Sequence, residues 1–158
     1  MATKSDFTAE EWGKLLSSPM IAGMAITAAD PSGMASGWAL VKARQNEKAN
    51  ALVKAVAEDF ATGDGRAAAR TELQARFGSK KIDVLKNSAL AELRSVSTIL
   101  DTKAPEDAAA FRMWLEDVAQ KAAEAGTEGG FLGFGGVAVS ESEKATLSEI
   151  SLALNANK

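Results

Sequence analysis

Ile82-Asp83-Val84-Leu85-Lys86-Asn87-Ser88-Ala89-Leu90-Ala91-Glu92-Leu93-Arg94-Ser95-Val96-Ser97-Thr98-Ile99-Leu100 is the stretch that decides the fold. Within it Ile82, Leu85, Ala89, Leu93, Val96 and Leu100 recur at intervals of 3, 4, 4, 3 and 4 residues. Those intervals put all of them on one stripe of an α-helix, whereas a half-buried strand needs alternation at every second position. The spacing predicts an amphipathic helix ending near Asp101.

The pattern repeats on both sides. Downstream, Pro105 opens a helix with Glu106 and Asp107 in its first turn, where the helix dipole favours acids. Its face is Phe111, Trp114, Leu115, Val118 and Ala122, and Gly126 is expected to end it. A final helix starts from the Ser140/Glu143 capping box and uses Leu147, Ile150 and Leu154. Upstream, Ala69, Leu73 and Phe77 mark a helix over Arg66 to Phe77, stopped by Gly78, with Ser79 available to cap the next. The turn Thr62-Gly63-Asp64-Gly65 precedes it. Before that turn, Leu52, Val53, Val56, Ala57 and Phe60 define a helix from about Glu47 to Ala61.

At the N-terminus Thr8 and Glu11 have capping-box spacing, and Phe7 and Trp12 sit where a hydrophobic staple belongs. Pro19 is expected to end this first helix near Ser18, because proline lacks the N–H that continues a helix. Met20 to Ala29 is small or apolar at almost every position and reads as a buried helix. Asp30-Pro31 repeats the start signal and opens a helix through Trp38, Leu40 and Val41 to about Gln45. Only Asn46 hints at a break from the helix that follows. Residues 1–6 read as a tail, and Phe131 to Val139 as at most one short strand. The expectation is an all-α, single-domain compact bundle of about six to seven helices, with a Gly/Phe-rich loop before the last one.

Composition agrees. Of the 158 residues, 32 are alanine, so much of the 46% hydrophobic content is the best helix former rather than bulky core. Charged residues at 25% match a soluble globular chain. The chain has no histidine, cysteine or tyrosine. That excludes Ser-His and Cys-His nucleophiles, thiol redox chemistry, and imidazole or thiolate metal sites. A metal would have to be a hard cation on oxygen ligands, and no cofactor is implied. Met1-Ala2-Thr3-Lys4-Ser5-Asp6 lacks the basic and apolar regions of a secretion signal, so the expected location is the cytoplasm. Asp30-Pro31-Ser32-Gly33 interrupts the apolar stretch from Pro19 to Val41, leaving it too short to span a bilayer.

Net charge is −3, unevenly spread. Residues 1–41 carry 2 bases and 4 acids, residues 42–103 carry 12 and 8, and residues 104–158 carry 4 and 9. The middle excess is too mixed for a nucleic-acid patch, and opposite charge on the last two segments suits packing between them or between copies. Arg66, Arg70, Arg76, Lys80, Lys81 and Lys86 form the most basic run, but Asp64, Glu72 and Asp83 interleave with it.

The unusual segment is Gly129-Gly130-Phe131-Leu132-Gly133-Phe134-Gly135-Gly136-Val137. It reads as a crossover whose phenylalanines enter the core, as an apolar loop that docks a partner, or as a phosphate cradle. The third reading is disfavoured by Glu141 and Glu143 at the following helix start. The segment also carries a resemblance. Phe111-x-x-Trp114-Leu115, Val118-Ala119-x-Lys121, the 129–136 loop and Val137-x-Val139-Ser140-x-x-Glu143-Lys144 resemble the ending of a set of small bacterial proteins of unassigned function. Phe7-Thr8-x-Glu10-Glu11-Trp12, Gly23-Met24 and Ala29-Asp30-Pro31-Ser32-Gly33 resemble the same group. The resemblance covers the two ends of the chain and implies a compact helical bacterial protein, with no activity, cofactor or site attached.

Candidate chemistry is sparse. The acidic pairs Glu10-Glu11, Glu58-Asp59, Glu106-Asp107 and Glu116-Asp117 point about 100° apart on a helix and are poor chelates singly. Asp30, among small and apolar neighbours, reads as an N-cap or as a carboxyl of raised pKa. The leading expectation is a non-enzymatic protein acting through protein–protein contacts, self-associating through Phe131, Leu132, Gly133, Phe134 and Gly135. The alternative is a small-molecule binder with an apolar inter-helix pocket rimmed by Trp12, Trp38, Trp114 and Asp30. A carboxylate or hard-metal enzyme ranks third. Neither nucleic acid nor a membrane is an expected partner.

Overall fold

A helix that runs through a proline organises the molecule. The computed structural model describes residues 2–29, 49–78, 81–128 and 141–156. Among them the chain forms six α-helices and no strand: α1 (Ala9–Ala29), α2 (Ala51–Ala61), α3 (Gly63–Phe77), α4 (Ile82–Lys103), α5 (Pro105–Glu128) and α6 (Glu141–Leu154). They pack as one all-α bundle, with α1 against α3, α4, α5 and α6.

Helix α1 starts as its sequence indicates. Thr8 N–H donates to Glu11 Oε2 at 2.8 Å, and Glu11 N–H donates to Thr8 Oγ1 at 3.1 Å. Phe7 and Trp12 close the staple with ring centroids 5.7 Å apart. Its end differs from expectation, because Pro19 lies inside a 21-residue helix. Proline leaves the Leu15 carbonyl without its i+4 donor. The Ser18 hydroxyl supplies one instead, donating to Leu15 O at 2.7 Å, and Ser17 Oγ donates to Lys14 O at 3.1 Å. Ile21, Ala22, Ala25 and Ile26 beyond the proline are buried, so packing holds the second half in line.

Residues 2–6, read as a tail, form a short 3₁₀ turn over Lys4–Asp6 instead. Ala2 N–H donates to Asp107 Oδ2 at 2.9 Å. Asp107, only 1% exposed, also accepts from Asn50 Nδ2 at 2.9 Å. Asn50 in turn caps α2, its Oδ1 accepting from the N–H groups of Leu52 and Val53 at 2.9 and 3.3 Å. Helix α2 thus begins at Ala51 rather than near Glu47. Helix α3 begins at Gly63, inside the expected turn, because Thr62 Oγ1 accepts from Gly65 N–H at 2.9 Å. Gly65 permits the sharp α2–α3 junction, since a Cβ there would overlap the Asp59 carbonyl.

The stripe of α4 is buried at Ala89, Leu93, Val96 and Leu100, and that of α5 at Phe111, Leu115, Val118 and Ala122. Burying a leucine such as Leu93 contributes about 1.5–3 kcal/mol. Gly126 does not end α5, which continues to Glu128; an internal glycine weakens a helix by only about 1 kcal/mol. Arg112 fastens α4 to α5 from a position 4% exposed. Its Nη2 donates to Ser97 Oγ at 2.7 Å and to Asp101 Oδ1 at 2.5 Å. Ser97 Oγ passes the link to α6 by donating to Leu154 O at 2.6 Å. The expected charge pairing between segments occurs in Lys86–Glu149, at 2.9 Å. No helix among the described residues is long and apolar enough to cross a membrane.

Candidate functional site

The 3₁₀ turn, the first turns of α1, the end of α2 and the start of α3 meet around a cleft of about 290 Å³. Trp12 and Leu16 form apolar wall, Gly13 and Ala68 keep the helices close, and Asp59 and Asp64 supply carboxylates. Gly13 matters for that approach: a Cβ there would sit 3.0 Å from Glu72 Cγ on α3.

The capping box fixes where α1 begins and therefore turns Trp12 inward, leaving it 4% exposed. Its indole N–H donates to Asp59 Oδ2 at 2.6 Å. Lys4 Nζ donates to the same oxygen at 2.9 Å and lies over the Trp12 ring, 5.8 Å from its centroid. Burial pushes the Asp59 carboxyl up, but the hydrogen bonds from Lys4 and Trp12 and the Lys4 charge together outweigh it. The carboxyl is held below the usual aspartate value. Asp59 is therefore a fixed anion at neutral pH, suited to binding a cation and not to accepting a proton.

Within the positively charged run, Arg66, Arg76 and Lys86 are engaged elsewhere. Arg76 pairs with Glu72 of its own helix at 3.0 Å and joins α3 to α4 through Glu92 at 3.2 Å and to α1 through Glu10 at 3.6 Å. Burial lowers the Arg76 pKa, and the carboxylates of Glu72 and Glu92 more than reverse that. Arg66 Nη1 donates to the Ala61 carbonyl at 3.0 Å, near the end of α2. The acidic pairs also act as ties: Glu10 and Glu11 on α1, Asp107 on Asn50, and Glu116 accepting from Asn155 Nδ2 at 3.1 Å. Among the described residues no three carboxylates converge as a metal site.

Of the expected pocket residues, Trp12 alone is seen at this cleft. Trp114 lies on α5, half-buried and edge-on to Phe111 at 5.2 Å and 80°, and does not line it. The Trp114 indole N–H is buried without a hydrogen-bond partner among the described residues. Trp38 and Asp30 lie outside the described residues, as do Phe131, Leu132, Gly133, Phe134 and Gly135. Sequence reading missed Lys4, assigned to a tail, and the particular role of Asp59, seen only as half of an acidic pair. No spacing signal links them, since they are 55 positions apart. No protein-family model, curated protein or solved structure matches this chain.

Proposed function

We propose that this is a non-enzymatic binding protein of the bacterial cytoplasm whose working site is the Trp12 cleft. The observation that carries the reading is Asp59, a charged carboxylate aimed by the Trp12 indole N–H at 2.6 Å beside an aromatic-walled cleft. Small-molecule sites combine apolar walls with a few oriented polar groups in this way. Binding fits better than catalysis, because the chain lacks histidine, cysteine and tyrosine and Asp59 titrates away from neutral pH. Native mass spectrometry of freshly purified protein tests it. A retained mass that Asp59→Asn abolishes supports the reading; a retained mass that Asp59→Asn leaves unchanged overturns the cleft as its site.

A second reading, self-association, is favoured by Met113 and Leu152, which are 69% and 72% exposed. They lie on α5 and α6, which Glu116 joins through Ser151 and Asn155. Large apolar side chains so exposed on neighbouring helices suit a contact with a second copy. A discrete dimer in the same spectra, dissociated by Met113→Lys or Leu152→Lys, supports this reading; a bare monomer at micromolar concentration removes it.

A further inference from the structure

Lys4 is bound to the cleft as a ligand would be. Its ammonium sits between the Asp59 carboxylate, at 2.9 Å, and the Trp12 ring, at 5.8 Å from the centroid. A carboxylate beside an aromatic face is how proteins recognise organic cations. The Lys4 side chain is nevertheless 63% exposed and arrives on a one-turn 3₁₀ segment. Exposed ion pairs of this kind are weak, so Lys4 can be displaced at little cost.

What remains after displacement is a formed site. The indole N–H of Trp12, itself 4% exposed, still aims Asp59, so the carboxylate needs no reordering to receive another cation. Asp64 lines the same cleft, with Leu16, Gly13 and Ala68 also in its wall. Two carboxylates over an apolar floor match two ammonium groups joined by methylenes. A hard divalent cation fits less well, since it asks for six or more oxygen ligands.

We propose that the Trp12 cleft receives a linear alkyl-diammonium ligand, one end on Asp59 and Trp12 and the other toward Asp64, with Lys4 as a tethered competitor for the first position. The proposal rests on the cleft being the working site and names the chemistry it selects.

The test is titration of the ¹⁵N-labelled full chain with 1,4-diaminobutane, n-butylamine and neutral indole, read at the Trp12 indole N–H signal. The expected result is a saturable shift with the diamine and a weaker one with butylamine. Lys4→Ala should bind the diamine roughly two- to fivefold more tightly, the range an exposed ion pair is worth. Asp59→Asn should weaken it about tenfold or more, as loss of a hydrogen bond to a charged group does. Asp64→Asn should reduce the diamine to the level of butylamine; Asp64 is exposed, so this variant keeps the test valid if Asp59→Asn misfolds.

A Lys4→Ala chain that binds the diamine no more tightly overturns the competitor role. A signal moved by indole and by neither amine overturns the ammonium class while leaving the cleft as a binding site. A signal moved by none of the three overturns the proposal, and the reading it rests on is then decided separately by whether freshly purified protein retains a mass that Asp59→Asn abolishes.

Discussion

Arg112 and Asp59 are both charged hubs that tie distant helices together, and they differ in solvent. Arg112 is 4% exposed and its partner Ser97 is fully buried, so its link through Ser97 to the Leu154 carbonyl of α6 is nearly dry, while its other partner, Asp101, has a side chain 38% exposed. The Asp59 side chain is 20% exposed and one of its two donors, Lys4, is 63% exposed. A buried polar hub is hard to break because every lost partner leaves a desolvated group. A hub at the rim can exchange one partner for another. The Arg112 hub holds the bundle; the Asp59 hub sits where solvent reaches it.

That contrast can be broken in four places. Arg112→Ala should have the largest effect, destabilising by about 3 kcal/mol through lost packing and through the donors that Ser97 Oγ and Asp101 lose. Urea unfolding followed by circular dichroism measures it, and a loss no larger than that of Lys4→Ala would erase the distinction. Ser97→Ala should come next, at roughly 1–3 kcal/mol, because both Arg112 and the Leu154 carbonyl lose a buried partner.

Asp59→Asn should cost about 1 kcal/mol at neutral pH through its charge-assisted hydrogen bonds. Its pH dependence is the sharper check. The folded carboxyl titrates below its ordinary value of 3.8, so its contribution is present above that pH and is lost as pH falls through the lower folded value. The stability gap between wild type and Asp59→Asn should therefore close in acid, below about pH 3.8. A gap that stays constant down to pH 2 would mean that the charge is not what Asp59 contributes. Lys4→Ala should have the smallest effect, under about 1 kcal/mol, as exposed ion pairs usually do. A larger loss would make Lys4 structural and weaken the case for a displaceable cation.

Legibility follows the same division. The Thr8/Glu11 box, the Phe7–Trp12 staple and the Ala89–Leu93–Val96–Leu100 stripe were readable because each depends on residues within one or two helical turns. Pro19 misled because the proline rule counts the missing N–H and overlooks a neighbouring hydroxyl. Ser18 answers the Leu15 carbonyl, and only burial of Ile21, Ala22 and Ala25 shows why the helix should go on. Asp107 was read correctly as a helix-start acid. That it also receives Ala2 and Asn50 from other parts of the chain was invisible. Residue type alone makes Trp12, Trp38 and Trp114 equal candidates for a pocket rim, yet Trp114 packs on Phe111 and does not line the Trp12 cleft.

By itself the sequence determined the all-α class, the start of the first helix, the faces of α4 and α5, and the absence of histidine, cysteine and tyrosine chemistry. Those properties rest on short-range periodicity or on atoms the chain does not contain. The tertiary structure alone decided that Trp12 and Lys4 share Asp59, across 47 and 55 residues, and that Ser97 links Arg112 to Leu154. Hydrogen bonds of that reach leave no local period to read. They exist only once packing has brought the helices to their final places.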